Sequence, residues 1–375
     1  MKFTIKKDLL LDALNKVSKA ISTKNLIPVL AGVKFELKKK KLILTASDND
    51  ITIQTSIESV NEEDFTVENE GSIIIQGKYI LDIVRKLPDK YINIEVIDEL
   101  KILIYTENSE FNLNGISESE YPNIGLEESK KKVNIKAGIF KSIVSQTAFA
   151  SSNEESKPVL TGINLNIVGD VLECNSTDSY RLARKVVKLD RESEENYNIV
   201  VPSHNIVEFS KILGDDEDIV ELHIFSNKIL FKTGNLKFES RLINGTYPNT
   251  SNLLPDDSFL VISTKLSDFY DVIDRVSILT SDKEKNIVTL ETNADILILR
   301  SSSAEIGRVE EKMKISKNNN ENIKISFSAK YMMEALKSFS TETVDIHFVG
   351  EIKPILIKST EDVTLTQLVL PIRTY

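Results

Sequence analysis

Cys174 is the single thiol of the chain, and a nucleophilic thiolate needs an electropositive, partly exposed setting to ionise. It lies instead beside Leu172 in an apolar alternating run, which reads as buried packing. Two of the three histidines, His223 and His347, sit in strand patterns, Glu-Leu-His-Ile-Phe and Asp-Ile-His-Phe. No other Cys or His stands at metal-ligand spacing, so neither a metal nor a cofactor is expected. The acidic clusters Asp215 to Asp218, Asp256-Asp257 and Glu154-Glu155 fall in turn-like segments. Carboxylates for acid–base work need one shared pocket and divergent environments, and solvated loop charge is the simpler reading. Asp48 and Asp178 recur at one place in a repeated pattern, which fits turn capping. Neither a phosphate-cradling glycine loop nor a nucleophile elbow is present. No catalytic residue is nominated.

The elements around these residues are regular. Leu10, Leu14, Val17 and Ile21 share one face of a helix spanning Asp8 to Ile21. Val33, Phe35 and Leu37 alternate, as do Leu42 and Leu44, with Lys38 to Lys41 as the turn of a hairpin. A second helix over Lys78 to Leu87 is stopped by Pro88 and is read with Tyr79, Ile83 and Leu87 on one face. Strands follow at Ile92–Ile97, Lys101–Thr106 and Glu110–Ile116. The unit is therefore helix, strands, helix, strands.

That unit returns. Pro28, Leu30, Gly32 and Asp48 land on Pro158, Leu160, Gly162 and Asp178 at a constant spacing without a gap. Leu103 to Thr106 corresponds to Ile229 to Lys232 and to Ile355 to Lys358, and Tyr121-Pro122-Asn123 to Tyr247-Pro248-Asn249. First helices recur with Phe140, Val144 and Thr147, then with Leu266, Phe269, Ile273 and Val276. Polar segments Ser117–Lys132 and Gly245–Ser258 close the first two units, so the domains are expected at 1–127, 128–253 and 254–375.

The 375 residues carry 57 Asp and Glu against 47 Lys and Arg, a formal charge of −10. That balance argues against a protein holding nucleic acid by electrostatics alone. One cysteine, no apolar signal run and no membrane-length apolar stretch point to a reducing, cytoplasmic setting.

In order along the whole chain stand Met1 to Ile5 with a Leu-rich first helix, Pro28-Val29-Leu30, Ser176 to Ala183, Tyr247-Pro248 and Leu370 to Arg373. Each motif is weak alone. The set resembles the bacterial sliding clamp family, the beta subunit of DNA polymerase III. The resemblance implies an α+β DNA-clamp fold of three tandem copies, helices lining a hole and antiparallel sheets outside. It also implies a homodimer closing head to tail into a ring around duplex DNA, tethering the replicative polymerase, clamp loader and repair proteins, without a catalytic site of its own or a membrane.

Three residue sets follow from the resemblance. Facing DNA would be Lys24 first, then Lys16, Lys19, Lys78, Arg85, Lys86, Lys141, Lys157, Lys211, Lys330 and Lys337. A partner-peptide pocket between the second and third domains would use Leu160, Thr177, Ser179, Tyr180, Arg181, Leu182, Pro248, Leu253, Tyr331, Ile352, Pro354, Leu368, Val369, Leu370, Pro371, Ile372 and Arg373. In it, Leu160, Leu182, Leu253 and Leu370 supply an apolar cavity, with Tyr180, Arg181 and Arg373 as polar anchors at its mouth. The dimer would join the strands Lys101–Leu113 and Ile296–Glu305, with Ile83, Leu87, Phe111, Leu113, Ile278 and Leu279 in contact. A repeat scaffold binding peptides without DNA, and an enzyme with its site scattered among loops, remain the alternatives.

Overall fold

The computed structural model describes residues 1–21, 27–61, 63–255, 257–280 and 286–373. Lys24, expected to face DNA, and Asp256 of the acidic pair lie outside them. The first repeat runs β1 (Lys2–Lys6), α1 (Lys7–Val17), β2 (Gly32–Lys38), β3 (Lys41–Ser47), β4 (Ile51–Glu58), β5 (Phe65–Asn69) and β6 (Gly71–Gln76). It continues with α2 (Gly77–Lys86), β7 (Tyr91–Ile97), β8 (Lys101–Tyr105) and β9 (Glu110–Asn114). The second comprises β10 (Val133–Lys136), α3 (Ala137–Thr147), β11 (Gly162–Val168), β12 (Val171–Thr177) and β13 (Arg181–Lys188). Then come β14 (Tyr197–Pro202), α4 (Ser203–Ile212), β15 (Ile219–Ile224), β16 (Lys228–Thr233) and β17 (Leu236–Arg241). The third opens with β18 (Leu260–Lys265), α5 (Leu266–Ser277), β19 (Ile287–Asn293), β20 (Ile296–Ser303), β21 (Gly307–Lys314) and β22 (Ser316–Lys317). It closes with β23 (Lys324–Ser328), α6 (Ala329–Lys337), β24 (Thr343–Phe348), β25 (Ile355–Lys358) and β26 (Leu365–Val369).

Among the described residues all strand pairs are antiparallel and form four sheets. The chain divides into two compact units, 1–138 with 208–242, and 139–207 with 243–375. The division cuts through the second repeat because neighbouring repeats share sheets. In the first unit β17 pairs with β4, giving an eight-stranded sheet ordered β10-β15-β16-β17-β4-β3-β2-β6. In the second, β13 pairs with β26, giving β14-β11-β12-β13-β26-β25-β24-β18-β22. The remaining sheets are β5-β1-β7-β8-β9 in the first unit and β21-β20-β19-β23 in the second. A strand that alternates buried and exposed residues presents one apolar face, and amphipathic helices cover those faces. Thus Leu10, Leu14 and Val17 of α1 are buried, as are Phe269, Ile273 and Val276 of α5.

The glycine shared by the two Pro-x-Leu-x-Gly stretches is explained by close approach rather than by a special φ. A Cβ on Gly32 would collide with the Ile74 side chain, and one on Gly162 would sit 2.7 Å from the Val201 carbonyl oxygen.

Two sequence expectations change. The buried face of α2 is Ile80 and Val84, with Leu87 buried just beyond the helix, while Tyr79 is exposed and Ile83 half-buried. The strand Ile296–Ser303 is internal, lying between β19 and β21. The edge is β21, whose alternation of charge (Arg308, Glu310, Lys312, Lys314) carries no apolar signal on its outward face.

Candidate peptide pocket

The turn Asp178-Ser179-Tyr180 joins β12 to β13, and its geometry follows from Asp178. One carboxylate oxygen, Oδ1, accepts the backbone N–H groups of Tyr180 (2.9 Å) and Arg181 (3.0 Å). Asp48 does the same for Asp50 (2.7 Å) and Ile51 (2.8 Å), so the recurring aspartates are turn caps. Ser179 is held at φ 79°, a left-handed conformation that costs an L residue about 1 kcal/mol or more. Thr177 donates its hydroxyl to the Arg181 carbonyl (2.5 Å), and its backbone N–H donates to the Tyr247 phenol oxygen (3.0 Å).

Arg181 is a buried strut, not an anchor at the mouth. Its guanidinium pairs with Asp178 (2.9 Å) and Glu334, donates to the Phe149 carbonyl (2.7 Å) and lies 4.6 Å from the centre of the Tyr331 ring. The strut ties the turn to α6 and leaves the residue only 9% exposed. The Tyr180 and Tyr331 rings stack at 6.3 Å. Burial, then the Asp178 carboxylate, raises the Tyr331 phenol above its ordinary value.

The far wall is the end of the chain. Val369 closes β26, and Pro371 has no N–H to continue the ladder. The Leu370 N–H donates to the Tyr180 carbonyl (2.9 Å), and the Ile372 N–H to the Ser326 carbonyl (2.7 Å). Between turn and tail opens a cavity of about 640 Å³, lined by Tyr180, Asn286, Ser328, Lys330, Tyr331, Leu370, Pro371, Ile372 and Arg373. A concave, mainly apolar slot with a few polar groups suits an extended peptide that inserts apolar side chains.

Several expected lining residues lie elsewhere. Leu182 and Leu368 are buried beneath the pocket with Leu356, against half-buried Leu254 and Leu370. Leu160 belongs to a separate cluster with Val200 and Tyr247. Of the four leucines, Leu370 is the one that lines this cavity. Val369 and Thr177 are buried, whereas Leu253 and Ile352 are exposed, and neither these nor Ser179, Pro248 and Pro354 line the slot. Asn286, Ser328 and Lys330 were not foreseen as lining. Asn286 precedes β19, where the third repeat lacks the Pro-x-Leu-x-Gly signature, and Ser328 is the N-cap of α6, a role visible only once the helix start is fixed. Lys330, expected to face DNA, borders this cavity.

The other expected basic residues are mostly exposed on or beside helices. Lys78, Arg85 and Lys86 lie on α2, and Lys16 pairs with Asp12 (2.7 Å) on α1. Lys19 and Lys211 bracket Glu208 at 3.6 and 2.6 Å. In the other unit Lys141 lies on α3, Lys157 in an exposed loop, and the Lys337 ammonium sits 5.4 Å from the Tyr270 ring. Of the expected dimer contacts, Ile278 and Phe111 are exposed, Leu113, Leu279 and Ile83 are half-buried, and Leu87 is buried in its own core and unavailable to a partner. Cys174 is fully buried, and burial pushes its thiol well above the ordinary range. Among the described residues one trio, Glu128, Glu221 and His223, has metal-ligand atoms close together. Lysines occupy those carboxylates: Lys232 and Lys237 each stand 2.7 Å from Glu128, and Lys132 2.6 Å from Glu221. Lys232 and Lys237 hold the Glu128 carboxyl down at about 2.

Three tandem α+β repeats that share sheets at their junctions define a sliding-clamp fold. Profiles of the N-terminal, central and C-terminal domains of the DNA polymerase III beta subunit match residues 1–125, 134–249 and 251–373. The beta sliding clamp of Staphylococcus epidermidis is 38% identical over 377 residues, covering 100% of both chains. The crystal structure of the Bacillus subtilis sliding clamp matches with a TM-score of 0.96 at 37% identity, again over 100% of both chains. The Streptococcus pyogenes beta subunit matches at 0.95 and 30% identity, over 100% of each. The chain belongs to the DNA polymerase III beta subunit family.

Proposed function

We propose that two copies of this chain close head to tail into a ring around duplex DNA. The ring acts as a polymerase processivity factor, holding the polymerase and other replication proteins by short peptide segments in the pocket at Leu370–Arg373. It is an accessory subunit with no chemistry of its own and works in the cytoplasm.

The observation that carries this reading is an arithmetic of edges. Each repeat supplies one half-sheet ending in β4, β13 or β21 and another ending in β9, β17 or β26. Within the chain β4 meets β17 and β13 meets β26. The two left over, β21 and β9, are each an edge of a short sheet. An exposed edge strand invites pairing, and repeating the same junction between copies gives a heterologous contact of the kind that closes into rings. The similar Bacillus subtilis structure is named a DNA polymerase sliding clamp, which supports the same reading.

The test is topological. The protein, placed on nicked circular DNA by a clamp loader, stays on the circle through gel filtration and leaves once the circle is cut at a single site. A scaffold with no DNA role gives no retention, and a conventional DNA binder gives retention indifferent to linearisation; either result sinks the proposal.

A further inference from the structure

The repeat builds a second groove of the same backbone design in the other unit. There β4 pairs with β17 as β13 pairs with β26, and the Asp48 turn stands where the Asp178 turn stands. The bond from the Leu370 N–H to the Tyr180 carbonyl is matched by one from the Arg241 N–H to the Asp50 carbonyl (3.0 Å). Registers continue the match: Ile51 faces Ser240 and Thr52 faces Glu239, as Arg181 faces Val369 and Leu182 faces Leu368. Arg241 therefore replaces Leu370, Glu239 replaces Leu368, and Thr52 replaces Leu182.

A cavity of about 360 Å³ opens at this place, bordered by Leu30, Asp50, Ile124, Lys228, Glu239 and Arg241. Its floor is charged where the other is leucine: Lys228 pairs with Glu239 at 2.8 Å. An apolar side chain entering here must strip water from that pair and from Arg241 without offering a hydrogen bond in return. Desolvating charge costs more than burying one aliphatic group returns.

We propose that Lys228, Glu239 and Arg241 restrict peptide docking to one site per chain, the repeat having built two grooves and charge having closed one to apolar anchors. Specificity of this kind comes from a built-in penalty rather than from an added contact. The inference rests on the reading of the Leu370–Arg373 slot as a peptide pocket.

The experiment titrates the chain with a fluorescein-labelled pentapeptide carrying two leucines and reads the stoichiometry. The wild-type chain takes one peptide. The variant Lys228→Met, Glu239→Leu, Arg241→Leu takes two, and one remains after residues 370–375 are deleted from it. A melting curve shows that the variant folds. Should it not, Arg241→Leu alone, at an exposed position, binds the second peptide roughly tenfold more tightly than the wild-type groove. Two peptides on the wild-type chain, or one on the wild-type chain and still only one on the folded variant, overturn the inference. No peptide on the wild-type chain but one on the variant overturns the pocket reading and leaves the charge argument standing; none on either overturns both.

Discussion

Arg181 directs its guanidinium at Asp178, Glu334 and the Phe149 carbonyl while stacking on Tyr331, so its contribution is the shape of the slot rather than contact with a guest. Beside it, Ser179 holds φ 79°. Glycine adopts that conformation without steric cost, so Ser179→Gly is expected to raise the unfolding free energy by about 0.5–1 kcal/mol in a urea titration; a fall would mean that the serine itself braces the turn. His347 offers a pH handle. Its Nδ1 lies 3.0 Å from the Ser258 hydroxyl, and burial, then Lys358, lowers its affinity for a proton against the opposing Asp345. With the folded value depressed, the unfolded chain binds the proton more readily, so stability falls as pH drops through the ordinary histidine range. His347→Gln should flatten the decline in melting temperature between pH 7 and 5; an unchanged slope would contradict the assignment.

At the scale of elements, the proposed seam between the edges β9 and β21 would rest on a few exposed apolar groups. Phe111 on β9 and Ile278 just past α5 are 37% and 73% exposed. Replacing both by Asp places charge where a partner would desolvate it, and light scattering should then report half the wild-type mass with the melting temperature little changed. A persistent dimer would place the interface elsewhere. Elements with strong periodicity were legible in the sequence: α1 from Leu10, Leu14 and Val17, α5 from Phe269, Ile273 and Val276, and the β2–β3 hairpin. The repeat signature also marked the turn that frames the pocket. Among the strands that escaped are β6, whose Gly-Ser-Ile-Ile-Ile-Gln run lacks alternation, and β21, whose outward side is charged. The face of α2 was misjudged because Tyr79, Ile80, Ile83, Val84 and Leu87 offer two overlapping apolar stripes. The pocket lining was harder still, since Leu160 and Leu182 belong to the same repeat yet pack into different clusters.

For the whole molecule, a charge of −10 is compatible with encircling DNA because a linked ring needs no tight grip. Each phosphate neutralised by a lysine steepens the salt dependence of binding by about 0.9 in logarithmic slope. Retention on a closed circle should therefore change little between 50 and 200 mM salt, while binding to short linear duplexes weakens markedly. Loss from the closed circle parallel to loss from the linear duplex would show that affinity, not linkage, holds the protein.

The pairing of β4 with β17 and of β13 with β26 inside one chain has a further consequence for dilution. Those two seams are tethered covalently, so each sees its partner at a fixed, high effective concentration whatever the cell contains. In the proposed dimer, a seam of the same design between β9 and β21 would have no tether and would answer to the number of copies present. As copies become scarce, that seam alone would come apart while the two tethered ones hold.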